Sequence, residues 1–250
     1  MHPSTSYKIS SSLAILLVGD PKSGKTCVAA SFPDPYILDV DGNLASAVRV
    51  LGTKRFWYDT PVAECEHMHE VWKKCLVHIQ EAKRNPEIKT FIIDSLSLLS
   101  EYMCAWIIQE HIRMGDVDKN GKKTESLTIP DYGKLLSMFR GLIFDLRSTG
   151  KHVVVTSHQQ ASQDELTKVM RYALAIPGQA KDTLGGAFTD VWATMATAMP
   201  QNKVKYEIRT APTGFHVALG TSIRTLPSAL DITGMSPDQV WANLAPRLGV

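Results

Sequence analysis

Short apolar runs alternate with longer segments of mixed polarity along the first two thirds of the chain. An unbroken apolar run of four to six residues is typical of a strand that is covered on both faces. The segments between the runs place apolar residues at helical spacing, most clearly in residues 63–84. Strands that alternate with helices predict an α/β fold, with a mostly parallel central sheet and helices on both faces. The predicted strands lie at residues 13–18, 36–40, 90–93 and 153–156, and the second of them includes Asp39.

The last third of the chain follows a different pattern. Residues 191–199, 203–209 and 215–219 alternate or run apolar with no helical segment between them. Successive strands without crossover helices predict antiparallel strands, added at the C-terminal side of the sheet. A last short helix is expected to start at Ser236, because Ser is favoured at the N-cap and Pro at the first helical position.

Two polar segments interrupt these elements. Residues 113–128 are rich in lysine and contain two glycines, and residues 159–186 show no dominant period. Both segments predict mobile surface loops. Because the chain has no internal repeat, and its length is near the upper limit for one hydrophobic core, residues 1–250 are expected to form a single domain.

Bulk composition excludes several classes of protein. The chain is 44% hydrophobic and 21% charged, as globular proteins are, and its net charge of +2 does not by itself indicate a polyanionic partner. The four cysteines form no CxxC pair, which favours a reducing compartment. Residues 1–10 lack the apolar run of a signal peptide, and no run in the chain has the length of a membrane span. We therefore expect a cytoplasmic protein with no membrane partner.

The strongest chemical signal lies in residues 19–26, which fit the pattern G-x-x-x-x-G-K-[ST] between an apolar run and a helical segment. In this context backbone N–H groups surround a phosphate, Lys25 reaches the β and γ phosphates, and Thr26 ligates Mg²⁺. The alternative is a structural glycine turn. We expect ATP and Mg²⁺ as cofactors, with the nucleotide held by Gly19, Asp20, Pro21, Lys22, Ser23, Gly24, Lys25, Thr26 and Cys27.

Carboxylates at the ends of two other predicted strands are candidates for the second Mg²⁺ ligand and for the general base. Asp94 is the expected second ligand of Mg²⁺, and the alternative is a capping Asp at a strand end. The next residue is Ser95 rather than a Glu that could act as general base. The base is therefore expected from Asp39 or Asp41, with Asp41 favoured, although Asp41 and Gly42 could also form only a turn.

His158 and Gln159 follow the fourth apolar run, at the carboxyl end of a predicted central strand. Ligands of α/β sheets bind at such strand ends. Either side chain could sense the γ-phosphate, and we expect His158 to join Lys25 and Asp41 as a catalytic residue. The alternative is a purely structural histidine.

Together these motifs resemble the RecA-like P-loop ATPase core and, within it, the bacteriophage single-strand annealing ATPases of the Sak group. The resemblance rests on GDPKSGKT, ILDVDGN, FIIDSLSLLS and the segment from DYGKLL to HVVVTSHQ, which together cover about residues 13–160. Ser95 after Asp94 is similar to RecA and differs from AAA+ proteins, which have Glu there. RecA-like proteins carry a Glu where this chain has Asp41, so the shorter carboxylate is a departure from the family pattern.

The resemblance implies an ATPase that binds single-stranded DNA and acts in recombination, by annealing or strand exchange. It also implies self-association into a ring or filament with ATP at the subunit interface, a single-stranded-DNA-binding protein as a further partner, and phage origin with activity in the host cytoplasm. Arg209 and Arg224 are the candidates for a basic residue that enters the neighbouring subunit's site. The two polar segments are the implied DNA loops, with Lys119, Lys122, Lys123, Lys168, Arg171 and Lys181 as candidates for phosphate contacts, unless these side chains are only solvated.

Other assignments have weaker support. Residues 116–121 copy the first half of an EF-hand loop, but position 12 of that loop is Leu127 rather than Glu. The Cys and His residues between positions 65 and 78 scatter around one predicted helix, which argues against a zinc site made from them. The main alternative function is an ATP-dependent switch or assembly factor of the KaiC kind, with no DNA activity of its own. A P-loop kinase is disfavoured because no arginine-bearing lid is recognisable.

Overall fold

An eight-stranded sheet and a separate two-stranded hairpin organise the protein in the computed structural model, which describes residues 12–52, 54–117, 125–163, 168, 170–214, 216 and 218–248. The strands are β1 (Ala14–Val18), β2 (Pro35–Asp39), β3 (Trp57–Asp59), β4 (Thr90–Asp94), β5 (His152–Ser157), β6 (Gln159–Gln163), β7 (Met170–Leu174), β8 (Asp190–Met199), β9 (Lys203–Arg209) and β10 (Ala229–Asp231). The helices are α1 (Lys25–Ser31), α2 (Leu44–Leu51), α3 (Met68–Lys83), α4 (Leu96–Met114), α5 (Ile129–Arg147), α6 (Ala180–Thr183) and α7 (Pro237–Leu248), with short 3-10 helices at Pro61–Glu64 and Leu184–Ala187.

The strands of the large sheet lie in the order β10-β9-β8-β1-β5-β4-β2-β3. The six strands from β8 to β3 pair in parallel, whereas β9 and β10 are antiparallel to their neighbours. This arrangement confirms the predicted fold class, a mostly parallel sheet with helices on both faces and antiparallel strands at the C-terminal side. Register places Asp39 opposite Asp94 and Val18 opposite Ser157. The carboxyl ends of β1, β2, β4 and β5 therefore share one edge of the sheet.

Apolar side chains of the sheet divide between two core layers. On β1, Ile15 and Leu17 face the layer that contains α1 and α7, whereas Ala14, Leu16 and Val18 face the layer that contains α3, α4 and α5. All five residues of β1 are buried. Helices thus cover both faces of the sheet, which explains why this strand is an unbroken apolar run in the sequence.

The longest helices are α4 and α5, with 19 residues each. In the described part of the chain, neither these nor any shorter helix is apolar enough over a sufficient length to cross a membrane.

The predicted strand at residues 215–219 is wrong. The described residues of that segment form no strand, and the last antiparallel strand is β10 instead. The segment leads to Gly220, which forms an isolated antiparallel bridge with Val191 of β8. At three residues, β10 is too short to show a readable alternation of apolar and polar positions.

Residues 159–186 contain more regular structure than the sequence predicts. β6 and β7 pair as an antiparallel hairpin, and α6 and the second 3-10 helix follow it. The sequence of β6 is QQASQ, which has no alternating apolar face and therefore gives no strand signal. In the other predicted loop, α4 extends to Met114, and residues 118–124 lie outside the described residues. That either segment is mobile stays a prediction.

Candidate functional site

The loop between β1 and α1 depends on two glycines. A Cβ atom on Gly19 would lie 2.5 Å from the carbonyl oxygen of Thr194, so that a larger residue would force β8 away. Gly24 has a φ angle of 95°, a left-handed value that disfavours residues with side chains, and it directly precedes α1. The hydroxyl of Ser23 lies 2.7 Å from that of Thr194. These contacts hold the loop against β8 at the start of α1.

Lys25 points back over this loop from the first position of α1. Its Nζ donates hydrogen bonds to the carbonyl oxygens of Gly19 (3.0 Å) and Asp20 (2.8 Å) and lies 3.5 Å from Nδ1 of His158. Burial lowers the pKa of the amine, and nearby carboxylates, first among them Asp94, oppose that shift. Lys25 therefore places a buried cation directly above the loop.

Thr26 and Asp94 lie side by side next to this cation. Thr26 Oγ1 donates a hydrogen bond to Asp94 Oδ2 at 2.7 Å, and Thr156 Oγ1 of β5 donates one to Oδ1 at 2.5 Å. Burial raises the pKa of Asp94, and the two hydroxyl hydrogen bonds act against that rise. Carboxylate and hydroxyl oxygens are the hard ligands that Mg²⁺ prefers. The two residues predicted to bind metal thus fit a magnesium ion chemically.

Asp41 lies beyond the end of β2 and lines the same cleft. Its Oδ1 accepts hydrogen bonds from the backbone N–H (2.9 Å) and the hydroxyl (2.8 Å) of Ser95, and its Oδ2 lies 3.8 Å from Nε2 of His158. Burial acts to raise the pKa of this carboxyl, but the nearby His158 ring and the hydrogen bonds from Ser95 together outweigh burial and lower it. Asp41 is therefore ionised at neutral pH and suited to accept a proton.

Asp39, the other candidate for the general base, accepts hydrogen bonds from backbone N–H groups instead. Its two oxygens accept hydrogen bonds from the N–H groups of Asn43 (3.1 Å) and Leu44 (2.9 Å) at the start of α2. Asp39 is buried, and it is not among the residues that line the cleft. The geometry therefore favours Asp41 over Asp39.

His158 lies between Lys25 and Asp41. Its backbone N–H donates to Ser97 Oγ at 3.0 Å, so α4 fixes the position of this residue at the end of β5. Its two ring nitrogens face the Lys25 amine on one side and the Asp41 carboxylate on the other. A cation, an imidazole and a carboxylate thus line one side of the cleft in that order.

Gln159 connects the loop to the hairpin. Its Nε2 donates to Asp20 Oδ1 at 3.1 Å, and its Oε1 lies 3.0 Å from Nε2 of His216. The His216 ring stacks on Tyr172 of β7, with ring centroids 4.5 Å apart. Sequence reasoning missed His216, because it belongs to no motif and lies 57 positions away from its partner.

A cavity of about 820 Å³ joins these groups to the antiparallel side of the sheet. On that side the cavity is lined by Tyr206 of β9 and by Ile232, Gly234, Met235, Ser236 and Pro237. The Tyr206 ring reaches the loop, since a Cβ atom on Gly24 would lie 3.6 Å from it. Sequence reasoning also missed Tyr206 as a lining residue, because a single Tyr on a predicted strand belongs to no motif.

The sequence model of a protein family described as an AAA domain matches residues 11–218, most of the chain. The chain belongs to this AAA domain family. No curated protein matches the chain at a significant level. Solved structures that resemble this AAA protein include a KaiC-like protein from the archaeon Pyrococcus horikoshii OT3, with 11% identity, coverage of 79% of this chain and 77% of that chain, and a TM-score of 0.39. The RadB recombinase shows 17% identity, 79% coverage of each chain and a TM-score of 0.43. Similarities this weak carry no argument about activity.

The two arginines predicted to act at a subunit interface lie outside the cleft of this AAA protein. Arg209 is on β9, with its Nη2 3.5 Å from Oε2 of Glu207. Arg224 is exposed in a turn, which corrects the prediction that it lies on a late strand. Position 224 precedes β10, and the chain there has no strand partner among the described residues.

The predicted DNA contacts fall into two groups. Lys168 and Arg171 are exposed on the hairpin formed by β6 and β7, and Lys181 lies on α6. Lys119, Lys122 and Lys123 lie outside the described residues. Contact with DNA stays a prediction for all six.

Proposed function

We propose that this AAA protein binds Mg²⁺-ATP in the cleft, hydrolyses it slowly, and uses the cycle to act on single-stranded DNA in recombination, by annealing or strand exchange. The observation that carries the proposal is the convergence of Lys25, Thr26, Asp41, Asp94 and His158 on one cavity of about 820 Å³. This volume is within the range of small-molecule sites, roughly 300–1,000 Å³. Lys25 and Thr26 begin α1, and the other three side chains lie at the ends of β2, β4 and β5, so that together they supply a cation, metal ligands and a base.

Lys25 is the group that we assign to the phosphates. Its amine now satisfies two loop carbonyls, and small rotations of its flexible stem would redirect the same donors to phosphate oxygens. Thr26 and Asp94 would hold Mg²⁺, which neutralises charge on the phosphates during their cleavage. Because both residues already share a hydrogen bond, their oxygens are within reach of one ion.

Asp41 is our candidate for the general base. Two hydrogen bonds from Ser95 fix the orientation of its carboxylate, and the lowered pKa keeps it ionised, ready to take a proton from the attacking water. An Asp side chain is one methylene shorter than Glu, which supports a slow rate of hydrolysis. His158, between Asp41 and Lys25, is in place to sense the γ-phosphate.

The antiparallel side of the cleft, lined by Tyr206, Ile232 and Met235 and called the base end below, is suited to the nucleobase. Tyr206 offers an aromatic face, and Ile232 and Met235 add apolar surface next to it. Aromatic rings stack on bases of any identity. Occupation of this end would leave the phosphates at Lys25, so that one ATP molecule fills both ends of the cavity.

Contacts through Gln159 support coupling between nucleotide and DNA. Gln159 touches Asp20 of the loop, and through His216 it reaches Tyr172 on the hairpin. A shift of the loop on nucleotide binding would be transmitted to the hairpin, where Lys168 and Arg171 are exposed. Tyr172 adds an aromatic ring at the same hairpin for contact with bases.

Assembly is the remaining part of the proposal, and it rests on the RecA-like motifs. Copies of the chain would form a ring or filament, with Arg209 or Arg224 of one copy entering the cleft of the next. A single-stranded-DNA-binding protein, phage origin and a cytoplasmic site of action belong to the same proposal.

Measuring ATP hydrolysis with and without a single-stranded oligonucleotide at low salt tests the proposal. We expect Mg²⁺-dependent hydrolysis that DNA alters, and no hydrolysis in the variant Lys25→Ala. If DNA does not bind the protein and does not change the rate of hydrolysis, the recombination function is rejected, and an ATP-dependent switch or assembly factor is favoured. No ATP binding by the wild-type chain would reject both.

A further inference from the structure

Three side chains that could ligate a metal ion lie close together beside β3, the strand at one edge of the large sheet. They are Asp59 at the end of β3, Glu64 in the first 3-10 helix and His78 on α3. One nitrogen or oxygen atom from each lies within 4.8 Å of the other two. None of the three lines the nucleotide cleft. The group therefore has no part in the proposed ATP chemistry.

His78 is the buried member of this group. Only 8% of the residue is exposed, and within the described part of the chain neither ring nitrogen has a well-aligned hydrogen-bond partner. Carboxylate oxygens are nevertheless close, with Glu64 Oε1 2.9 Å from Nε2 and Asp59 Oδ1 3.4 Å from Nδ1. At such distances a hydrogen bond fails only when the oxygen lies off the N–H direction. A buried imidazole that is poorly aligned with its carboxylate neighbours is costly, and an ion that contacts both a ring nitrogen and the oxygens would lower that cost.

The outer oxygens of the two carboxylates are held by other side chains. Tyr36 donates its hydroxyl to Asp59 Oδ2 at 2.7 Å, and the Lys74 ammonium lies 2.8 Å from Glu64 Oε2. The inner oxygens are the ones turned toward His78. Metal sites commonly use such outer hydrogen bonds to orient their ligands.

We propose that Asp59, Glu64 and His78 bind a divalent transition-metal ion, with Zn²⁺ as the best-matched probe. Zn²⁺ accepts imidazole nitrogen and carboxylate oxygen at about 2.0–2.2 Å, which in a tetrahedral site places neighbouring ligand atoms about 3.3–3.6 Å apart. Nε2 of His78 faces Glu64 at 2.9 Å and Nδ1 faces Asp59 at 3.4 Å, so an ion on one ring nitrogen would draw the carboxylate beside the other nitrogen toward it. This adjustment is short, because one ligand atom from each residue already lies within 4.8 Å of the other two.

Such an ion would join the edge strand to the helix behind it. β3 has only three residues and pairs with β2 alone, so it has few backbone hydrogen bonds to hold it. A ligand from β3, one from the 3-10 helix and one from α3 would close this edge. Sequence reasoning rejected zinc here because it considered only cysteines and histidines, whereas the group combines one histidine with two carboxylates that precede the helix.

Calorimetric titration of the full, chelator-treated chain with ZnCl₂, in the absence of nucleotide, tests the site. We expect one equivalent of Zn²⁺ to bind and to raise the temperature of unfolding. His78→Gln and Glu64→Gln should weaken binding by at least about tenfold. Glu64 lies on the surface, so Glu64→Gln keeps the test valid even if the change at buried His78 prevents folding.

Two control variants separate this site from others that could take up zinc. His67 and His69 stack on each other nearby, and Asp94 belongs to the nucleotide cleft, so His69→Ala and Asp94→Asn should both keep the bound equivalent. Failure of the wild-type chain to bind Zn²⁺, or binding that Glu64→Gln leaves unchanged, would overturn the proposal. If Asp94→Asn loses ATP binding but keeps zinc binding, the zinc-site proposal is supported, because the two sites are then separate.

Discussion

The two ends of the nucleotide cleft are built in different ways. The phosphate end uses a continuous loop, residues 19–26, and side chains that directly follow parallel strands. The end that we assign to the base uses Tyr206 from an antiparallel strand and Met235 from the segment before α7. That segment is placed by packing, for example of Phe32 after α1 against Trp241 of α7, with ring centroids 4.9 Å apart. The proposed phosphate end is thus encoded locally in the sequence, whereas the proposed base end depends on tertiary packing of the last third of the chain.

The largest effect is expected at the phosphate end, from Lys25→Ala. Removal of the cation should abolish measurable ATP binding and reduce hydrolysis by about 1,000-fold, the upper range for loss of one electrostatic stabiliser of a transition state. Filter binding and a phosphate-release assay measure the two quantities. Lys203→Ala, on the exposed start of β9, is the matched control and should behave as wild type. Equal losses in both variants would mean that general charge, rather than the site, matters.

Asp41→Asn should separate binding from chemistry. The variant keeps the shape of the side chain but removes its basicity, so ATP should still bind while hydrolysis falls by about 100-fold. Asp34→Asn, at an exposed turn, is the control. Hydrolysis that survives in Asp41→Asn would transfer the role of base to another group.

The pH profile of hydrolysis sharpens the same assignment. The pKa of Asp41 is lowered in the folded chain, so the ionised base persists into mildly acid solution and is lost only as pH falls through that lowered value. We expect hydrolysis to decline on the acid side only near or below about pH 4, the range of an ordinary Asp. A decline nearer neutral pH that persists at saturating Mg²⁺ would point to a group other than Asp41, because excess metal opposes protonation of the ligand Asp94, whose pKa burial raises.

A smaller effect is expected at the base end, from Tyr206→Ala. ATP binding should weaken about tenfold, which corresponds to the ~1–3 kcal/mol typical of a base stacked on an aromatic ring. Binding of inorganic tripolyphosphate, which has no base, should not change, and Tyr206→Phe should keep ATP binding because the ring is retained. If Tyr206→Ala weakened both ligands equally, the ring would be supporting the loop rather than the base.

The smallest effect on basal activity is expected from Gln159→Ala. Without DNA, hydrolysis should stay within about twofold of wild type, as for most substitutions outside the core. The response of hydrolysis to single-stranded DNA should be lost, because the contact from Asp20 to His216 is broken. An unchanged DNA response would show that coupling runs by another route.

The contrast between the two ends also explains what the sequence could predict. The loop, Asp94 and Asp41 were predictable because each lies within a few residues of an apolar run, and parallel strands bring their carboxyl ends together. Tyr206 and His216 were not, because their neighbours in space are far away in the chain. β6 was missed for a related reason, since its pairing with β7 involves no apolar alternation. The local sequence pattern predicts the strands and the phosphate-loop motif, whereas tertiary packing determines which distant side chains contact them.

The central claim is that one ATP molecule spans both ends of the cleft. Calorimetric titration of the wild-type chain with Mg²⁺-ATP, followed by competition with tripolyphosphate, tests it most directly. The account predicts one ATP bound per chain, displaced by tripolyphosphate, which itself binds more weakly because it lacks the base. Tripolyphosphate that binds without displacing ATP, or as tightly as ATP, would contradict the account.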